Sequence, residues 1–406
     1  MIAEIRPSAA RGSVIAPPSK SAAHRLLICA ALSGGVSTVR GIAPSQDMLA
    51  TMDCLRALGA RIDCDDEMAV VTGAHLPGTL SGAVLPCRES GSSLRFLIPL
   101  ALLHDRHFTF TGSRRLFARP LSVYEGLCRA QGLLWQLGSD SLTVCGPLTT
   151  GTFTIPGDIS SQFISGLLFV LPLLDSDSVI RLLPPVESRP YIDMTLQALS
   201  LFGVTAGFED EVTIRIPGSQ QYMPRDVAVE GDWSNAAFFD ALNTLGGDVQ
   251  LSGLQADSLQ GDRVYPRYFA ALRDGSPTLD LSDCPDLGPV CMALAAALHG
   301  AVFTGTQRLQ LKESDRVAAM AEELAKFGVR ACLGADTVTI PPSSLQVPTQ
   351  PLLGHNDHRI VMALAVLSTR TGGVIRGAEA VAKSLPDFFP RLQHLGIEVE
   401  TYGMDQ

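Results

Sequence analysis

The chain has 406 residues, of which 46% are hydrophobic and 18% charged, and a net charge of −10. This composition excludes a disordered chain, and the length exceeds one ordinary core, so two or three domains are expected. An acidic chain lacks the broad cationic face that nucleic acid requires, although a local cluster of Lys and Arg can still hold a small anion.

The opening stretch, MIAEIRPSAARGSVIAPPSK, has no long apolar run and no cleavage pattern, so no secretory signal is expected. Its first strand, MIAEIRP, finds no partner in the segment that follows and is expected to pair with the second half of the chain. From Pro17 the chain follows a fixed grammar. Polar residues (PPSKSAAHR) lead into an apolar helix (LLICAALSGG), then a strand (VSTVRGIA). An amphipathic helix (SQDMLATMDCLRALG) follows, and a strand pair (ARIDCDDEMAVVTG) closes the unit.

The same order returns at Cys87 (CRESGSSLRFLIPLAL), at Pro156 (PGDISSQFISGLLFVL) and at Val229 (VEGDWSNAAFFDALNTLGG). It returns again at Asp283 (DCPDLGPVCMALAAALHG) and at Gly354 (GHNDHRIVMALAVLSTRTGG). Most starts lie roughly 70 residues apart, with a shorter fourth unit, which is the size of a βαβαββ module rather than a solenoid turn. Glycines close the helices at Gly34, Gly59, Gly203, Gly246, Gly328 and Gly396, as C-cap chemistry predicts. Six units divide into two groups of three, predicting one domain over residues 19–228 and a discontinuous second over 1–18 and 229–406.

The nine cysteines contain no C-x-x-C and predict reduced core residues in a reducing, cytoplasmic compartment. The apolar run FISGLLFVLPLL is too short to span a bilayer, so no membrane association is expected.

Candidate chemistry gathers at the repeat starts. A helix N-terminus carries free N–H groups and about half a positive charge, which suits an anion. Lys20 and Arg25 open the first unit, Ser160, Ser161 and Gln162 the third, and Arg359 the sixth. Arg119 precedes Pro120, a residue favoured at the first helical position. Lys312, Glu313 and Arg316 are expected to start the second helix of the fifth unit, and Lys383 takes the matching place in the sixth. Each cluster taken singly also reads as an ordinary capped helix start with a solvated charge. Their recurrence in an acidic chain is what points to an anion site.

Other chemistries lack their parts. Neither a G-x-x-x-x-G-K-[ST] phosphate loop, nor G-x-G-x-x-G, nor G-x-S-x-G is found. His355 and His358 have no third ligand at metal spacing, so no metal is expected. Asp286, Glu313 and Lys20 remain as general acid and base candidates.

The motifs PSKSAAHR, ESGSSLR, ARPL, GDISSQFISG, ESRPYID, EGDWSNAAFF, DCPD, LKESDR, NDHRIVMALAV and AKSLPDFF span essentially the whole chain. In them the sequence resembles the enolpyruvyl transferases, specifically the 5-enolpyruvylshikimate-3-phosphate synthases. The resemblance implies an α/β fold of two similar domains, each of three βαβαββ repeats, of inside-out α/β barrel type, with the active site in the interdomain cleft. It implies transfer of the enolpyruvyl group of phosphoenolpyruvate to the 5-hydroxyl of shikimate 3-phosphate, no metal or organic cofactor, and a monomer, in a family whose inhibitor is glyphosate.

By motif position, Lys20 contacts both substrates and Gln162 borders both. Ser21, Arg25, Ser160, Ser161, Ser188, Tyr191 and Lys312 fall at shikimate 3-phosphate positions. Gly91, Arg119, Glu313, Arg316, Arg359 and Lys383 fall at phosphoenolpyruvate positions, with His358 beside them, and Asp286 matches the carboxylate facing the reacting hydroxyl. Glu89, Ser92, Phe96 and Arg308 depart from common family patterns. The sister enzyme acting on UDP-N-acetylglucosamine has K-N near the start and a loop Cys, where this chain has Lys20-Ser21 and SRRLFARP.

Overall fold

The computed structural model describes residues 1–65, 67–74 and 82–403. The turn of the first expected strand pair includes residue 66, which lies outside them. The chain forms two compact units, an inserted unit of Pro18–Glu230 and a terminal unit of Met1–Pro17 with Gly231–Gln406.

In the inserted unit, three helices form the interior: Lys20–Leu32, Gly91–Ala101 and Ser161–Val170. Almost every residue in them is buried, because they read as apolar on all sides rather than along one stripe. Sheets pack outside them. Each repeat contributes a parallel strand pair continued by an antiparallel hairpin. Val84–Arg88 pairs parallel with Phe108–Gly112, which pairs antiparallel with Ser141–Cys145, which pairs with Leu134–Leu137. The same order is built on Thr152–Pro156 and on Asp226–Ala228. The sheets of the described residues stay separate and none closes into a barrel.

The terminal unit repeats the plan. Its opening strand, Ile2–Ile5, lies between Gly373–Arg376 and Val399–Tyr402, antiparallel to both. Pairing of this strand with the second half of the chain was expected from the lack of a local partner. The shorter fourth repeat is a two-stranded sheet, Asp248–Ser252 beside Arg11–Ile15.

The helix starts follow local rules. Serines cap the interior helices of the inserted unit: Ser19 Oγ accepts from Ala22 N–H, Ser90 from Ser93 N–H and Ser160 from Gln162 N–H. In the terminal unit aspartates take this role: Asp232 and Asp357 cap the counterparts Trp233–Thr244 and His358–Thr371, accepting from Asn235 N–H and Arg359 N–H, and Asp315 caps the second helix of the fifth repeat, Arg316–Lys326, accepting from Ala318 N–H. A neutral cap leaves the positive helix end uncompensated, whereas a carboxylate cap offsets it.

Two local expectations are corrected. Gly34 is not a left-handed cap: Ser33 ends the first helix in extended conformation, with its N–H and hydroxyl both donating to Ala30 C=O. The other five glycines have positive φ, from 80° to 99°. Pro120 does not open a helix. Arg119 is the C-cap of the short helix Arg114–Ala118, and the next helix starts at Ser122. Arg119 therefore projects from a corner between two helices.

Candidate active site

Each unit carries a cluster of the residues singled out above. In the inserted unit, Lys20 is the first residue of its helix and its Nζ donates to Asp47 Oδ2 at 2.7 Å. Arg25 is one turn further on and, contrary to the solvated-charge reading, only 3% exposed. Its guanidinium donates to Thr195 Oγ1 at 2.8 Å, to Ser21 C=O at 2.7 Å and to Tyr191 C=O at 2.9 Å, with Phe96 beneath it at 5.3 Å. Burial pushes the Arg25 pKa down to about 10. A buried cation held by hydroxyls and carbonyls is poised for an anion.

The helix of Gly91 and the helix of Gln162 meet at their starts. Gln162 Nε2 donates to Ser92 Oγ at 3.0 Å, and Arg95 Nη1 donates to Gln162 Oε1 at 2.9 Å. Arg95 Nη2 also donates to Pro120 C=O, next to Arg119. Gly91 packs on the Arg119 guanidinium itself: a Cβ at Gly91 would lie 2.5 Å from Nη1. Ser160 is half-buried and Ser161 buried. Ser188 is buried at the start of helix Arg189–Leu201 in left-handed conformation, with φ 53°.

In the terminal unit, the hub is Arg316, the first residue of helix Arg316–Lys326 and 1% exposed. It donates to three carboxylates: Asp357 from Nε at 2.9 Å, Asp286 from Nη1 at 2.8 Å and Glu313 from Nη2 at 2.9 Å. Burial opposes its charge, but Asp357, Glu313 and Asp286 outweigh it and raise its pKa. Arg316 thus joins the two candidate acid/base carboxylates, Asp286 and Glu313.

Asp286 also faces Lys312 Nζ and Arg359 Nη2, each at 3.6 Å. Burial pushes its carboxyl up, yet Lys312, Arg359 and Arg316 together hold it well below the usual range. Burial, helped by Arg316 and Arg308, pushes Lys312 down to about 8 against the pull of Asp286 and Glu313. Arg359 Nη1 donates to Asn235 Oδ1 at 3.0 Å, and its buried Nε has no hydrogen-bond partner among the described residues. His358 is buried beside Asp357, and Lys383 Nζ donates to Asn356 C=O at 2.7 Å. Lys312 and Lys383 end turns of 3-10 helix, Gln307–Leu311 and Ala378–Lys383, rather than opening α-helices.

Sequence reasoning missed Asp47, Arg95, Thr195 and Asp357. Asp357 lies inside NDHR and Arg95 inside ESGSSLR, so both stood in motifs, but their partners are 41 and 67 residues away. Thr195 carried no signal, since one hydroxyl in a helix has no pattern of its own.

Among the described residues, no helix is long and apolar enough to cross a membrane. The fold is that of the enolpyruvyl transferases. It matches an EPSP synthase from Acinetobacter baumannii with a TM-score of 0.78 at 20% identity, over 99% of this chain and 100% of that one. It matches the enolpyruvyl transferase NikO from Streptomyces tendae equally well, with a TM-score of 0.78 at 15% identity over 98% of each chain.

Sequence likeness is stronger. The chain is 37% identical over 422 residues to the 3-phosphoshikimate 1-carboxyvinyltransferase of Clostridium kluyveri, covering 98% of both. It is 38% identical over 421 residues to that of Clostridium beijerinckii, covering 97% of both. The family model for EPSP synthase (3-phosphoshikimate 1-carboxyvinyltransferase) matches residues 5–269 and 273–392. The chain belongs to the EPSP synthase family.

Proposed function

We infer that this chain transfers the enolpyruvyl group of phosphoenolpyruvate to the 5-hydroxyl of shikimate 3-phosphate and releases phosphate. The observation that carries the chemistry is the Arg316 hub, which places two carboxylates, Asp286 and Glu313, on one guanidinium within a cluster of cations. Attack of the hydroxyl oxygen on C2 of the enol requires loss of the hydroxyl proton and delivery of a proton to C3. Asp286 is held ionised and takes the hydroxyl proton. Glu313 and Lys20 serve protonation at C3 and its reversal as the C2–O bond to phosphate breaks.

The cations that depress Asp286 are those assigned to the anionic substrates. Lys312 and Arg25, with Ser21, Ser160, Ser161, Ser188, Tyr191 and Gln162, take shikimate 3-phosphate. Arg119, Arg316, Arg359 and Lys383, with Gly91 and His358, take phosphoenolpyruvate. Bound anions offset those cations and raise the basicity of Asp286 when the hydroxyl arrives. The buried Nε of Arg359, without a partner among the described residues, supports a ligand contact at that residue.

The test is phosphate release. Release should require both shikimate 3-phosphate and phosphoenolpyruvate, and neither alone. Absence of release with both, or release with UDP-N-acetylglucosamine in place of shikimate 3-phosphate, sinks the assignment.

A further inference from the structure

About two turns along the helix from Arg316 lies Glu323, whose side chain is 0% exposed. Its two oxygens accept from Lys326 Nζ at 2.9 Å each, from Leu353 N–H at 2.9 Å and from His355 Nε2 at 2.9 Å. Burial pushes this carboxyl up, but the bonds from His355, Lys326 and the Leu353 amide more than offset it and keep it below its ordinary value. With the Lys326 ammonium across both oxygens, the group is a poor place for a metal ion, even though Glu322 stands nearby.

What the carboxylate holds is a sharp corner. His355 and Asn356 are consecutive non-glycine residues with φ of 49° and 52°. Non-glycine residues adopt that region uncommonly, Asn and His more readily than most, so two in succession gain from contacts that hold them there. The corner delivers two groups to the cationic cluster. Asn356 C=O receives Lys383 Nζ. Asp357, fully buried, receives Arg316 and the Ser314 hydroxyl. Its Oδ1 also caps the helix that presents His358 and Arg359.

We propose that Glu323 and His355 are positioning residues: together they clamp the His355–Asn356 corner and thereby set where Lys383, Arg316 and Arg359 stand. This rests on the assignment of those three cations to phosphoenolpyruvate. Neither Glu323 nor His355 belongs to the groups assigned to substrate, and the clamp acts through backbone placement alone.

The test compares His355→Ala, His355→Gln and Glu323→Gln with Lys383→Ala as a control. His355→Ala should raise the KM for phosphoenolpyruvate about tenfold, as small displacements of binding groups do. The dissociation constant for shikimate 3-phosphate should change much less, and the melting midpoint should stay close to that of the wild type. His355→Gln keeps an N–H donor for Glu323 and should recover most of the loss, which a general weakening of the fold would not do. Glu323→Gln keeps the volume and should raise the same KM, so the proposal remains testable if His355→Ala does not fold. An unchanged KM in His355→Ala or in Glu323→Gln, or a His355→Gln no better than His355→Ala, overturns the clamp. If Lys383→Ala also leaves KM unchanged, the assignment of the cations is wrong; if Lys383→Ala raises it, only the clamp is.

Discussion

The backbone of Gly91 lies against the guanidinium of Arg119, so close that an added Cβ would stand 2.5 Å from Nη1 and 2.9 Å from Cζ. Arg119 is the C-cap of one short helix and Gly91 the first residue of a long one, so the contact joins two corners of the inserted unit. A methyl group at residue 91 cannot occupy that space until the arginine moves.

Gly91→Ala should therefore act through Arg119 and not merely by narrowing a pocket. We expect a higher KM for phosphoenolpyruvate, and a larger rise in the glyphosate inhibition constant, because the bulkier ligand tolerates less displacement. Arg119→Ala alone should cost about 1.5–3 kcal/mol of phosphoenolpyruvate binding, the worth of a charged hydrogen bond. In Gly91→Ala/Arg119→Ala the two losses should be less than additive. Full additivity in the double-mutant cycle would mean that the glycine acts independently of the arginine.

Lys312 should give shikimate 3-phosphate binding an alkaline limb. Its folded pKa of about 8 lies below that of an unfolded lysine. The charge, and with it the attraction for the phosphate, is present below about pH 8 and is lost above it. For stability the sign is opposite: the unfolded chain holds the proton more tightly, so this residue opposes folding while charged, and stability rises as pH climbs through and above that value. Titrating the dissociation constant across this range should show weakening near pH 8, and Lys312→Met should flatten that limb. A limb unchanged in Lys312→Met would assign it to another group.

Asp286→Asn should separate binding from turnover. The change removes a negative charge facing Lys312, Arg316 and Arg359, so shikimate 3-phosphate affinity should hold or tighten. Turnover should fall by at least about 100-fold, as loss of a general base does. Calorimetric binding beside a phosphate-release assay decides it. Turnover within a few-fold of wild type would assign removal of the hydroxyl proton elsewhere.

Thr195→Val removes the hydroxyl that receives Arg25 Nε and keeps the side-chain shape. We expect shikimate 3-phosphate to bind about 2–10-fold more weakly, less than the full worth of a charge-assisted hydrogen bond because Arg25 is loosened rather than removed. Phosphoenolpyruvate KM should change less. Equal loss for both substrates would show that Arg25 is not specific to the first.

The sequence by itself determined whatever depends on short stretches of chain. The repeats were legible because each is built from local hydrophobic periodicity and turn residues. Capped helix starts at the Ser160–Gln162, Lys312–Arg316 and Arg359 clusters were legible because cap bonds close over two or three residues, as those made by Ser160, Asp315 and Asp357 do. Arg119 shows the limit of such reading. The preference of proline for helix starts pointed to an N-terminus at Pro120, yet tertiary packing ended one helix at Arg119 and delayed the next.

The electrostatics were decided only by the tertiary structure. Arg316 meets Asp286 and Asp357 across 30 and 41 residues, and Arg25 meets Thr195 across 170. No local preference encodes which carboxylate a buried arginine will find, because such pairs form only after distant repeats have packed and excluded water. Burial then makes the pairing consequential, since in a low-dielectric surrounding a cation's neighbours set its proton affinity and a carboxylate's basicity. The sequence thus named the charged residues, and the packing of its repeats decided which of them pair with which.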